Sequence, residues 1–301
     1  QKGVAEELKK KMIVLAGCLL VLAAVGIFAA LRINGDKHCY VTQYADMTGL
    51  QGMFYTVETE DGGLIVIDSG NAGNAAYVVE VIEAKGQHVD AWILTHPHPD
   101  HVGAFNEAWK LLEDDVDRVY AIEMDYAAYQ AKAQEWDGFE VYEQFLELMD
   151  GSDKLVYVHT GDSFEICGLS CEVLSAYDAS VDQITRDLCN DGSMMFKLTN
   201  HEESMLFCSD VGIGMSDRIM AQYGDKLKCD YIQMGHHGNG GLSADFYRLT
   251  QPKAAFFDAP EWLMNPAEGA SYTTPQNRQL MEEMGAEIYY YATAPNRIIL
   301  K

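Results

Sequence analysis

Leu94 to Ala104 reads LTHPHPDHVGA, and three of the chain's nine histidines fall within six positions of it. These are His96, His98 and His101, with Asp100 among them. The apolar run AWIL just before reads as a buried strand, and from Gly103 to about Leu112 the pattern is helical. In an extended chain alternate side chains share a side, so His96 and His98 project together. Proline fixes φ near about −65° at positions 97 and 99 and disfavours helix at the residue before each. The loop is therefore expected to stay open and extended, with both imidazoles available to one metal. Asp100 and His101 stand where the chain turns into the helix and can reach a second metal. Imidazole with carboxylate suits zinc, manganese or iron rather than calcium. Three solvated loop histidines are the bland alternative, and proline-set spacing argues against them.

Outward from this loop the chain alternates strands and helices. MFYTVET and GLIVIDSG form two strands about a Glu60–Gly63 turn, and AAYVVEVIEAKG forms an amphipathic helix ending at Gly86. DRVYAIE reads as a strand, and residues 125–150 as an acidic, aromatic helical pair. A solvated amphipathic pair is its simplest reading, and a substrate-facing lid the sharper one. KLVYVHTGDSFEICGLSCEVLSA and SMMFKLTNHEESMLFCSD bring strands and hairpins, and CDYIQMGHHG a strand ending in a histidine pair. AAFFDAP, EIYYYAT and NRIILK are the last strands, with a helix from Thr274 to Met284 among them. Two such halves suggest two packed sheets with helices outside.

The chain has 301 residues, 48% hydrophobic and 22% charged, which suits an ordinary globular protein with ample core. Its net charge is −25, and residues 1–33 hold five Lys or Arg against Glu6 and Glu7. That local excess of +3 leaves −28 on the remainder (−25 less +3). So acidic a domain repels nucleic acid and anionic membrane surfaces at long range, which argues against long nucleic acid as a partner. Met12 to Leu31 is uncharged and apolar, long enough at about 1.5 Å per residue to span a bilayer. Lys9, Lys10 and Lys11 before it place residues 1–11 in the cytoplasm, 12–33 as an anchor and 34–301 outside. Secretion after signal cleavage is the alternative. The cysteines are Cys18, Cys39, Cys167, Cys171, Cys189, Cys208 and Cys229, with no CxxC pair, and the spacing is not that of a small disulfide scaffold.

At this point the chain resembles the metallo-β-lactamase-fold hydrolase superfamily, whose signature HxHxDH stands complete as His96, His98, Asp100 and His101. Asp68 in LIVIDSG is similar to the family's buttressing aspartate, and Asp210 in FCSDVG to its metal-bridging carboxylate. His236 and His237 in IQMGHHGN stand where the family places its last histidine ligand. The likeness implies an α/β fold, an αββα metallo-β-lactamase-like sandwich. Finer features, TGDSFEICGLSCEVLSA, NDGSMMFKL, LFCSD and GHHGN, resemble the hydrolase domain of ComEC-type DNA-uptake proteins and related phosphodiesterases. Cell-surface choline-phosphate esterases are similar too. One departure stands out. The superfamily's third histidine for the first metal has only His159 and His201 as candidates here, both poorly placed, while Asn190-Asp191-Gly192-Ser193 fills the stretch. The first metal is left with His96, His98, Asp210 and Asn190 or Asp191, which implies weak or exchangeable occupancy.

The resemblance implies two divalent ions, Zn²⁺ or Mn²⁺, about 3.5 to 4 Å apart, activating a bridging hydroxide. His237 is expected to ligate the second metal with Asp100, His101 and Asp210. Asp100 would orient the hydroxide, and His236 would meet substrate oxygen or protonate the leaving group. The reverse assignment of the histidine pair stays open, as does a packing role for one of them. The expected activity is phosphodiester hydrolysis on a small molecule or a cell-envelope component, with lactone, β-lactam or thioester hydrolysis as the runner-up. An oxidoreductase of the di-iron type is disfavoured because those members carry glutamate where this chain has His98. A non-catalytic surface binding protein retaining the fold is the alternative from a different class.

Overall fold

The computed structural model describes residues 37–291 and 294–301. The expected cytoplasmic tail and the anchor over 12–33 lie outside the described residues. Among the described residues no helix is long and apolar enough to cross a membrane.

Among the described residues fourteen strands build two seven-stranded sheets. The first contains β1 (Cys39–Gln43), β2 (Phe54–Thr59), β3 (Leu64–Asp68), β4 (Ala91–Leu94), β5 (Val119–Ala121) and β6 (Leu155–Tyr157). The second contains β7 (Ser163–Ile166), β8 (Leu169–Ser175), β9 (Met195–Asn200), β10 (Glu203–Phe207), β11 (Tyr231–Gln233), β12 (Ala254–Phe256) and β13 (Glu287–Tyr289). The last strand, β14 (Asn296–Leu300), returns to the first sheet and pairs antiparallel with β1. Each sheet starts antiparallel and becomes parallel, from β3 to β6 in one and from β10 to β13 in the other. The parallel strands β3, β4 and β12 are short, largely apolar runs buried throughout, as burial on both faces demands. Tyr55 of β2 bridges the sheets, edge-on to Phe207 of β10 at 5.4 Å and Phe256 of β12 at 6.3 Å between ring centres.

This topology positions the site. Within each sheet the parallel strands end at one edge, and a side chain capable of chemistry stands at or after five of the eight ends. Asp68 closes β3, His96 follows β4, Asp210 follows β10, the histidine pair follows β11 and Asp258 follows β12. Ligands in open parallel sheets gather outside the carboxyl ends of strands for the same reason.

Two local expectations change. The helix after β4 runs Pro99–Leu112, starting four residues before the expected Gly103. Proline is favoured at a first helical position, where its missing N–H costs nothing and its φ is already helical. Only Pro97 therefore stiffens the open loop, while Pro99 starts the helix. Asp100 and His101 lie in the first helical turn, where the carboxylate also meets the positive end of the helix dipole. The histidine pair is not at a strand end. β11 stops at Gln233, and Gly235–Gly238 is a tight turn with His236 at φ 52° and His237 at φ 56°. This left-handed turn, rather than strand alternation, gives the two rings their different surroundings.

The segment 125–150 forms the helix Tyr126–Lys132, a short turn Glu135–Asp137 and the helix Phe139–Met149. It buries Tyr129, Tyr142, Phe145 and Met149 against the core while exposing its acidic face. The six described cysteines are all free thiols, five of them buried.

Candidate metal centre

His101 sits at the middle of the cluster. Asp68, fully buried at the end of β3, accepts bonds from the Thr95 N–H and hydroxyl, each at 2.7 Å, and from His101 Nδ1 at 2.7 Å. That bond fixes the tautomer and turns His101 Nε2 inward. There it stands 3.3 Å from Asp210 Oδ1 and 3.4 Å from His237 Nε2. His237 Nε2 in turn is 3.1 Å from Asp100 Oδ2 and 3.2 Å from Asp210 Oδ2. The Nδ1 of His96 faces the hydroxyls of Thr95 at 3.2 Å and Ser209 at 3.3 Å. Its Nε2 is buried without a hydrogen-bond partner, 4.0 Å from Asp210 Oδ2. His98 Nε2 meets Asp137 Oδ1 at 2.9 Å.

These atoms form three overlapping donor sets. One is His96, His101 and Asp210, one is Asp100, His101 and His237, and one is His96, His98 and Cys189. The orphaned His96 Nε2 and a buried group of facing imidazoles and carboxylates fit a cation, which would satisfy the unpaired donors and offset the crowded charges. Nitrogen, carboxylate and sulfur donors fit a divalent transition metal.

Electrostatics follow from the packing. Burial pushes the His101 imidazole down, but the Asp210 and Asp68 carboxylates outweigh it and hold its pKa up to about 10. Burial, then the neighbouring His101 and His98, hold His96 well below the ordinary imidazole range. Burial also opposes ionisation of Asp210, yet His237 and His101 keep it well below the usual carboxylate range. Unequal basicities of this kind mark a site built to exchange protons for a cation.

Residues 47–168 match the model of the metallo-beta-lactamase superfamily. Over that span the chain is similar to a metallo-β-lactamase superfamily domain. Its fold is shared with solved structures across most of its length. The metallo-beta-lactamase fold protein YhfI from Bacillus subtilis aligns at TM-score 0.53 and 11% identity, covering 88% of this chain and all of that one. The metallo hydrolase Igni18 from Ignicoccus hospitalis aligns at 0.51 and 12%, covering 87% and 99%. The di-iron β-hydroxylase CmlA from Streptomyces venezuelae aligns at 0.52 and 14%, covering 87% of this chain and 54% of its own. No curated protein matches the sequence. The superfamily domain together with the buried donor sets is that of a metal-dependent hydrolase.

The structure brings His96, His98, Asp100, His101, Asp210 and His237 to one place, the last two from beyond the matched residues. His236 stands at the rim, its side chain 35% exposed and its Nε2 3.9 Å from Asp210 Oδ2. Asn190 keeps its amide on Asp187 at 2.9 Å, and its Oδ1 is buried and unpaired. The side chain grouped with His96 and His98 is its neighbour Cys189. His159 and His201 lie on the surface, away from the donor sets.

Sequence reasoning passed over three groups. Cys189 escaped because the search for a missing donor considered histidines, then the Asn190–Ser193 stretch beside it. Asp137 had no signal, one carboxylate among many in an acidic segment. Asp258 did have one, since FFDAP repeats the pattern of LIVIDSG, an aspartate directly after an apolar strand. It is fully buried and accepts bonds from Tyr55 at 2.6 Å, Gln43 at 2.8 Å and Gln233 at 2.9 Å. Gln233 Oε1 then takes the Ser209 N–H at 2.7 Å, which holds the residue preceding Asp210.

Outside the donors a groove of about 260 Å³ is lined by Leu50, Gln51, Asn71, Asp100, Trp136 and Trp262. Trp136 is 71% exposed and comes from the segment that carries Asp137, and Trp262 is 43% exposed. Large exposed indoles beside a buried polar centre are what a substrate-binding rim requires.

Proposed function

We propose that the protein is a metal-dependent phosphodiesterase, tethered to the outer face of a membrane through Met12–Leu31. The observation that carries the catalytic reading is the position of Asp210. One carboxylate faces donors of both halves, His101 from Oδ1 at 3.3 Å and His237 and His96 from Oδ2 at 3.2 and 4.0 Å. A carboxylate shared between two donor groups suits two-metal hydrolysis, the arrangement common to phosphatases and nucleases.

His96 and His98 would hold one ion, Asp100, His101 and His237 the other, and Asp210 both. Such ions would supply Lewis acidity at neutral pH and would offset the charge that develops on phosphoryl oxygen. The chain's own groups do the rest. Asp100, partly exposed at the groove, can take a proton from the attacking water, and its helix start fixes its aim. His236 at the rim can donate a proton to the departing oxygen. Burial of the cluster excludes bulk water from all but the groove side, and the two tryptophans give the substrate's organic part a surface to pack on.

The strong acidity of the chain favours a small phosphodiester or a cell-envelope component over long nucleic acid. Purified protein should hydrolyse bis-p-nitrophenyl phosphate faster than a chromogenic cephalosporin or a lactone, with activity lost on chelation and restored by zinc or manganese. A preference for the cephalosporin or lactone would overturn the phosphodiester reading. Protease added outside intact cells should remove the domain, and protection would reverse the proposed orientation.

A further inference from the structure

The first metal half lacks a third imidazole, yet a third donor stands beside it. The Cys189 sulfur, one nitrogen of His96 and one of His98 lie within 4.8 Å of one another, all three residues buried. Two of the donors have been prepared. His96 keeps Nε2 buried and unpartnered, its Nδ1 being occupied by Thr95 and Ser209. His98 has its Nε2 tied to Asp137, and its ring also hydrogen-bonds Cys189, a contact that a cation between them would replace. Cys189 occupies the short helix Leu188–Asp191 directly before β9, where Asp187 caps the turn through the Asn190 N–H. It makes no disulfide. A cysteine serving only as a small apolar filler sits among apolar side chains. Cys189 instead hydrogen-bonds His98 and the Tyr129 hydroxyl and stands beside His96, whose Nε2 is buried with no hydrogen-bond partner.

We propose that Cys189, as a thiolate, is the third protein ligand of the first metal, completing a set with His96 and His98 beside the shared Asp210. The proposal rests on the reading of the cluster as a metal centre and is independent of the phosphodiester substrate. Binding releases the thiol proton to solvent as the sulfur–metal bond forms, with no change of oxidation state. Thiolate is a softer donor than imidazole, so this half should take Zn²⁺ or Co²⁺ in preference to Mn²⁺. The expected weak occupancy from a missing histidine is then replaced by tight, metal-selective occupancy.

The test uses the intact chain, stripped and reloaded. Zinc-edge X-ray absorption of the wild-type protein with two equivalents should show a sulfur at about 2.3 Å, averaging one sulfur for every two zincs because only the first carries it. Reloading with Co²⁺ should give a sulfur-to-cobalt charge-transfer band in the near ultraviolet. Cys189→Ser should lose the band and one equivalent of metal while keeping the other. Cys189→His should keep both equivalents without the sulfur signal. Two metals bound with no sulfur contact would overturn the role of Cys189 and leave the metal centre standing, as would an unchanged sulfur signal in Cys189→Ser. Failure of the wild type to bind any metal would sink both readings. The absorption measurement needs no variant, so a folding defect in either substitution leaves the proposal open to refutation.

Discussion

His101 and His237 present their Nε2 atoms to each other at 3.4 Å, with the carboxylates of Asp100 and Asp210 against the same two atoms. Without a cation this contact is held by protons, since His101 is held up to about 10 by its carboxylate neighbours. Metal uptake at neutral pH must therefore expel at least one proton. Calorimetric titration with zinc in buffers of different ionisation heat should show that release, and affinity should strengthen as pH rises toward about 10. The same shift fixes the stability of the stripped protein. A folded-state pKa above the free value stabilises fully below the ordinary imidazole range and less as pH rises through about 10. Denaturant unfolding of the chelated protein should accordingly weaken between pH 6.5 and 10, the range bounded by the free and folded values.

Asp210→Asn keeps the shape but removes the shared negative charge. Hydrolysis should fall by at least about a hundredfold, more than loss of an outer partner produces. Metal analysis should find less than the wild-type content, since both halves use this carboxylate.

Asp137 holds His98 and would act on a bound metal through it. Asp137→Ala frees the His98 ring, and first-site metal affinity should fall about 10- to 100-fold, measured by competition with a chromophoric chelator. Asp137→Asn, which can still accept a bond, should recover part of that loss. Gly138 ties the same segment to the metal loop. It adopts φ +56°, and a Cβ there would lie 2.5 Å from Pro99 Cγ. Gly138→Ala should thus weaken metal binding as well as lower the melting temperature.

Trp136 and Trp262 line the groove with Asp100 but supply no donor to the cluster. Alanine at either position should raise KM with little change in kcat and none in metal content, the pattern expected when ground-state and transition-state binding are lost together. A drop in kcat at constant KM would count against the groove as a substrate surface.

Burial pushes the Asp258 carboxyl up to about 6, although His237, Tyr55, Gln43 and Gln233 favour its charged form. A raised carboxylate pKa reverses the usual sign. The group favours the fold while protonated, and that contribution is lost as pH rises from the free value of 3.8 to about 6. Asp258→Asn should flatten stability across that window. Tyr55→Phe removes a 2.6 Å hydrogen bond and should cost about 1 to 3 kcal/mol, with the Asp258 pKa moving higher still.

The succession of strands and helices and the candidate donors were legible in the sequence because both depend on short-range pattern. Apolar runs such as LIVID and AWIL announce buried strands, and HxHxDH places four polar groups at one strand end. Boundaries governed by a single residue's backbone were harder to read. Pro99 reads equally as loop stiffener and helix start, and only the packing of the following helix decides. The left-handed turn at His236 and His237 has no signature beyond flanking glycines. Cys189 and Asp137 reach the site across long sequence separations, and nothing in their immediate neighbours distinguishes them from other cysteines and acids.

Asp68, Ser209, His236 and His237 all hold positive φ, between 49° and 56°. A residue with a side chain pays for that conformation with strain, which glycine would relieve. Glycine would also remove the buttressing carboxylate, the hydroxyl facing His96, or a histidine of the cluster. Each of these positions is therefore held from two directions, by backbone geometry and by the side chain it must carry. Random drift has little room there: nearly every exchange loses either shape or chemistry. Libraries aimed at new substrates would do better to vary the tryptophan rim, where the same conflict does not arise.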